Sequence, residues 1–158
     1  MISKYYDSIA AIQVIGGCMH DPSRMDSDGQ YFFSEMDFCT DLHKVIFGAM
    51  YTLYNSGVTK HITREIEGFL QDKPKDLAIY KANKGKEWIC NTYKTVSGNG
   101  FDYYYSKFKK MSLLRAYDEC GIDVTDIYDP DNILDSDKKQ KQDKALDEMS
   151  LEQIADLV

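Results

Sequence analysis

The sequence predicts an all-α fold, a compact helical bundle followed by a long helical hairpin arm. Three observations carry that expectation. Apolar residues recur every three or four positions through most of the chain. Capping residues, prolines and glycines punctuate the ends of those runs. No stretch has the period-two alternation of a half-buried strand, and there is no internal repeat. The signals divide the chain into a globular bundle over 1–98, a helical hairpin over 99–149 with a polar second arm, and the start of a linker helix over 150–158.

The first helix runs from Ser8 to Met19, with Asp7 or Ser8 as its cap and Pro22 as its stop. It carries Gly16 and Gly17, and a glycine inside a helix costs about 1 kcal/mol relative to alanine. A pair of them implies that another part of the chain must come very close. Ser34 and Asp37 have the spacing of a capping box for a short turn around Phe38. Next, Leu42, Val45, Ile46, Ala49, Met50 and Leu53 fall on one face of a helix capped by Thr40 and ended by Gly57. Ile62, Ile66, Phe69 and Leu70 form the apolar edge of a short helix that Lys73 and Pro74 break. Two further short helices are expected around Asp76–Tyr80 and Glu87–Tyr93, and the loop Ser97–Gly100 closes this half.

Phe101 to Tyr128 reads as one long helix. Tyr104, Phe108, Met111, Leu114, Tyr117, Cys120, Val124 and Ile127 repeat along it as a packing seam that ends at Asp129 and Pro130. The charged stretch DNILDSDKKQKQDKALDEMS offers no apolar side chain between Leu134 and Ala145. It either returns as the second arm of the hairpin or is partly solvated and mobile. SLEQIADLV closes the chain with a capping box, Ser150 and Gln153, and with Leu151, Ile154 and Leu157 along one side.

The formal net charge of -7 excludes a free-standing domain that binds DNA by wrapping its phosphates, which needs clustered lysine and arginine. A protein partner suits the charge better, and contact with DNA is expected only indirectly. No apolar run is long enough to span a membrane, and MISKYYDS lacks the apolar core of a signal peptide, so the expected location is cytoplasmic. Cys18, Cys39, Cys90 and Cys120 form no CxxC pair and read as buried reduced thiols, without disulfides or zinc.

Sharper chemistry is weak. In Arg24–Glu35 the residues Asp26, Asp28, Gly29 and Glu35 take positions three, five, six and twelve of a calcium loop, but Arg24 puts a cation where the first carboxylate belongs. His20, His43 and His61 are too scattered for a metal trio, and His43 reads as a surface or interface residue in the first turn of its helix. Phe101–Lys110 interleaves aromatics with lysines, as a single-strand stacking platform would. Its helical spacing favours a core seam, with Tyr103 and Lys107 facing outward.

Taken in order, four segments resemble the N-terminal domain of DnaB-type replicative DNA helicases. VIGGCMHDPSRMD is similar to that domain's opening helix and loop. DFCTDLHKVIFGAMYTLYNSG resembles its most recognisable segment through Asp37, Phe38, His43, Ile46, Phe47 and Gly57. KGKEWICNTY looks like its Gly-Gly-x-x-Tyr-Leu element with Trp88 in the aromatic place, and FDYYYSKFKKMSLLRAYDECGIDVTDIYD, including Leu114 and Arg115, is similar to the first arm of its hairpin. The resemblance runs from about residue 8 to 128. Ala11, in place of a usual acidic residue, and the polar arm after Asp129 mark a divergent member, such as a phage or mobile element encodes.

The resemblance implies a non-catalytic collar domain that assembles as a homo-oligomer, a dimer or hexameric ring, and docks a primase or helicase loader during DNA replication. Its oligomer interface would be Tyr104, Phe108, Met111, Leu114, Tyr117, Val124 and Ile127. Helix packing would fall to Gly16, Gly17, Leu42, Ile46, Ala49, Met50 and Leu53, with the glycines set against the helix at 42–54. No GxxxxGK[ST] phosphate loop occurs in the 158 residues, so no cofactor is expected in this chain, and ATP and magnesium would belong to a motor domain elsewhere. The alternative is a stand-alone regulatory module that binds a helicase or primase. A small helical enzyme ranks third, because no acidic or nucleophilic cluster can be named.

Overall fold

The computed structural model describes residues 4–132 and 134–158, and among them the regular structure is entirely helical. The eight α-helices of these residues are α1 (Ser8–His20), α2 (Asp41–Asn55), α3 (Ile62–Leu70), α4 (Pro74–Ala82), α5 (Gly85–Thr95), α6 (Phe101–Glu119), α7 (Ser136–Glu148) and α8 (Leu151–Leu157). Short 3-10 turns at Pro22–Met25 and Glu35–Asp37 join α1 to α2.

Local chemistry sets most of the helix ends. The Asp7 carboxylate accepts from the Ala10 amide at 3.0 Å and so satisfies one of the free donors at the start of α1. Ser34 with Asp37, and Ser150 with Gln153, form capping boxes. Thr40 takes the cap position of α2 without a side-chain bond. Pro74 does not simply break the chain; it opens α4 from the first helical turn, where its missing N–H costs nothing.

The larger core lies between α1, α2 and the first half of α6, with α3, α4 and α5 closing it. Val14, Ile15, Ile46, Met50, Ile66 and Phe108 are all essentially inaccessible. On α2, Leu42, Ile46, Ala49 and Met50 are inside, and Leu53 packs at the edge. Gly16 and Gly17 do mark a close approach, but against a different partner from the helix at 42–54. A Cβ on Gly16 would sit 2.6 Å from Val96, and one on Gly17 2.5 Å from the Phe101 ring. The glycines therefore admit the loop between α5 and α6 and the first turn of α6, where α1 makes its most extensive helix contact.

A smaller second core gathers Tyr5, Met111, Leu114, Val124, Tyr128, Leu146 and Ile154. Here the long helix expected over 101–128 is corrected. It ends at Glu119, and Gly121 follows at φ +82°, a left-handed conformation that glycine adopts without penalty. The Gly121 and Ile122 amides then bond back to the Asp118 and Tyr117 carbonyls, and the chain turns so that Val124 and Tyr128 point into the second core. The polar segment after it folds as α7 with a single buried side chain, Leu146. Phe101 and Phe108 of α6 belong to the larger core.

Candidate assembly and docking site

The expected interface residues lie along α6 and just after it, and the chain itself covers most of them. Phe108 is 2% exposed, Met111 4%, Leu114 0% and Val124 1%. Tyr104, Tyr117 and Ile127 are half-buried against the two cores. Tyr104 and Phe108 pack in the larger core, and Met111, Leu114 and Val124 pack with Leu146 of α7 and Ile154 of α8 in the second.

On one side of α6 a polar network ties it to the 3-10 turn before α2. Asp37 is 3% exposed, and its carboxylate accepts from Lys109 Nζ at 2.8 Å, Ser112 Oγ at 2.7 Å and the Ser34 amide at 2.8 Å. Three donors, one of them a cation, satisfy a charge that burial would otherwise penalise heavily. Phe38 lays its ring against Phe108, with centroids 5.0 Å apart. Arg115 is also buried; it donates to the Tyr5 carbonyl at 2.7 Å and to the Met36 carbonyl, with its guanidinium 5.6 Å from the centre of the Tyr6 ring. Arg115 therefore joins α6 to the turn that carries Asp37, although nearly 80 residues separate Met36 from Arg115.

Above this network an open groove of about 790 Å³ runs between the turn, α6 and α8. Met36, 67% exposed, and Leu151, 41% exposed, stand on its walls, and Lys44, Glu119 and Glu152 give it charge of both signs.

Another side of α6 faces α7. Lys107, expected to face outward, is 8% exposed and lies 3.7 Å from Asp143 Oδ1 and 3.6 Å from Asp147 Oδ1. Lys110 Nζ donates to the carbonyls of Leu146 and Asp147 at 2.9 and 3.2 Å, placing a cation at the negative end of α7. Burial holds the Lys110 pKa below its ordinary value. Burial opposes ionisation of Asp143, yet the neighbouring Tyr128 hydroxyl and the Lys107 and Lys139 cations keep its carboxyl below the usual range. Tyr103 is half exposed, as expected, and its hydroxyl donates to Asp147 at 3.1 Å.

His43 and three of the cysteines differ from expectation. His43 is 6% exposed, not on the surface; its Nδ1 lies 2.8 Å from the Tyr6 hydroxyl, and burial pulls its pKa down to about 4. Cys18 is buried and its thiol is pushed up to about 12, but Cys39 is half-buried and Cys90 and Cys120 are exposed. All four are free thiols. In the calcium-like loop, Arg24 instead serves α1 and α6: it donates to the Gly17 carbonyl at 2.8 Å and stacks 4.4 Å from the Phe101 ring centre. Among the described residues, no group of three or more His, Cys, Asp or Glu is placed to hold a metal ion, and no helix is long and apolar enough to cross a membrane.

No family model matches the sequence, and no solved structure matches it. Over 148 residues, 94% of the chain, it is 33% identical to the SPbeta prophage-derived uncharacterized protein YorI of Bacillus subtilis (strain 168). The match covers 29% of that protein, so the chain spans less than a third of the length of this curated relative.

Residue patterns could not have revealed the buried cations. Lys107 and Lys110 stand in a run of aromatics and lysines that reads equally well as a solvated face, and their partners lie about 36 residues onward. Asp37 did leave a local signal, the capping-box spacing from Ser34.

Proposed function

We propose that the chain is the non-catalytic N-terminal collar domain of a DnaB-like replicative helicase, a domain for subunit assembly and for docking a primase or helicase loader. The observation that carries the reading is the convergence of the two segments that most resemble that family. Asp37, Phe38 and Arg115 tie the turn before α2 to α6, through the Ser112 hydroxyl, the Phe108 ring and the Met36 carbonyl, in an all-α fold. In this reading their shared task is to fix the turn before α2 against α6, which sets the walls of the groove beside α8.

Two further facts support it. The relative is more than three times as long as the matched segment, as expected of a domain that belongs to a larger protein, and its printed name gives it a prophage origin, in keeping with a divergent phage-type member. ATP and magnesium would then bind a motor domain and not this chain.

Sedimentation equilibrium over a concentration series, with and without the cognate primase's C-terminal domain, tests the proposal. Dimers, rings or a stoichiometric complex with primase are the expected results. A strict monomer that ignores primase, in a reading frame without a downstream GxxxxGK[ST], would sink the collar reading and leave a free-standing regulatory module.

A further inference from the structure

We propose that the hairpin of α4 and α5 is a contact surface for single-stranded nucleic acid, with lysines for the phosphates and Tyr93 for a base. The proposal stands on charge, exposure and ring geometry and does not rest on the collar reading.

The net charge of -7 is unevenly spread along the chain. Residues 73–95 hold six lysines against two acidic residues, a local charge of +4 in an acidic protein. Lys73 is engaged by Asp72 at 2.9 Å, but Lys75, Lys81, Lys84, Lys86 and Lys94 are exposed and form no ion pair among the described residues. By contrast the lysines of α6 are consumed within the fold: Lys107, Lys109 and Lys110 meet Asp143, Asp37 and the Leu146 carbonyl. The tip of the hairpin is also strained. Gly85 lies so close to the Tyr80 ring that no side chain fits there, and the preceding Lys84 takes φ +52°, a left-handed conformation that glycine or asparagine would hold with less strain. A lysine kept in that conformation without a partner in the chain marks a position whose use lies outside it.

An aromatic surface stands at the other end of α5. Tyr93 is 47% exposed and stacks on His20 with ring centres 4.2 Å apart, and His20 Nε2 lies 2.8 Å from the Tyr93 carbonyl. His20 thus steadies one face of the ring and leaves area for a base to stack. Lys86, Cys90, Tyr93 and Lys94 have the i, i+4, i+7, i+8 spacing of one helix face and all are exposed, so cations and ring share a side of α5. That pairing decides the partner. Rings among lysines suit single strands, whose bases are free to stack. Protein interfaces are depleted in lysine, and a membrane surface would need large aliphatic side chains, of which the hairpin exposes none.

Fluorescence anisotropy of a labelled oligo(dT) of about 20 nucleotides, titrated with the full chain, tests this. The parent chain should bind at about 0.05 M NaCl, with an affinity that falls with salt at a log–log slope of about -2, as about three contacted phosphates require. Lys84→Glu together with Lys86→Glu should weaken binding at least about tenfold. Lys84→Gly should weaken it about threefold and reduce the slope by about 0.7, and because it relieves the left-handed strain its effect does not depend on a damaged fold. Tyr93→Ser should weaken binding about fivefold or more with the slope unchanged. Lys60→Glu changes an exposed lysine outside the hairpin and should leave the affinity within about twofold. A parent chain that does not bind at about 0.1 mM would overturn the proposal, as would hairpin or Tyr93 variants that bind like the parent. So would polyglutamate or a duplex of the same length that binds as tightly, the first assigning the patch to an acidic protein segment and the second to phosphate charge without base stacking.

Discussion

Around the first half of α6 the protein is held by apolar side chains from five other helices, including Ile15, Ile46, Met50, Ile66 and Leu70, with aromatic rings stacked at the edge. Around the second half, seven buried hydrophobic residues come from five separate stretches of chain, and Lys107, Lys110 and Arg115 are sunk beside them. The difference lies in what replaces each contact when it opens. Apolar burial gives about 1.5–3 kcal/mol per large side chain and leaves only water in its place, whereas opening a buried pair such as Lys107 with Asp143 and Asp147 leaves charges that water must solvate. One helix thus joins an apolar core to one in which buried cations stand beside the apolar side chains.

The largest expected effect separates the two directly. Phe108→Ala should cost about 3–5 kcal/mol and lower the stability of the whole domain, measured by urea unfolding. Leu146→Ala removes a residue just as inaccessible and should cost about 2–4 kcal/mol, yet the loss should appear locally, as hydrogen exchange confined to α7 and α8. Uniform loss of protection in both variants would make the two cores a single cooperative unit.

Acid should strike the larger core first. The folded His43 has its pKa depressed to about 4, so between its unfolded value near 6.5 and about 4 the unfolded state binds the extra proton and stability falls with pH. The expected loss is roughly 2–3 kcal/mol over that window, and His43→Gln should flatten it in urea titrations at several pH values. Asp143 has a depressed carboxyl pKa, so its contribution is intact through the same window and disappears only below the ordinary carboxylate range. The smaller effect comes from Gly16→Ala. The new methyl group meets Val96 and should cost about 1–3 kcal/mol, and Val96→Ala in the same chain should recover part of it.

Helices α2 and α3 were legible because their apolar side chains repeat at the helical period; α3 begins and ends at the residues its apolar edge predicts, Ile62 and Leu70. The α6 seam was legible in spacing but not in destination. Periodicity marks a face to be buried, and the same Met111 and Leu114 suit a second subunit or other segments of the same chain. The helix stop at Gly121 was missed because Val124, Ile127 and Tyr128 continue the apolar rhythm beyond it, while the glycine's positive φ turns the backbone away. His43 was misplaced because a polar residue in a first turn ordinarily faces water, and here the Tyr6 hydroxyl gives its ring a partner inside.

By itself the sequence determined the all-α class, the order of the helices up to α6 and the face that α2 buries, since these follow from spacing within a few residues. Only the tertiary structure decided that the twin glycines receive Val96 and Phe101, that Asp37 and Arg115 lock a turn to α6, and that Lys107 and Lys110 are buried under α7. Each of those outcomes depends on a partner tens of residues away, and a polar group can leave water only where such a partner satisfies its hydrogen bonds and charge.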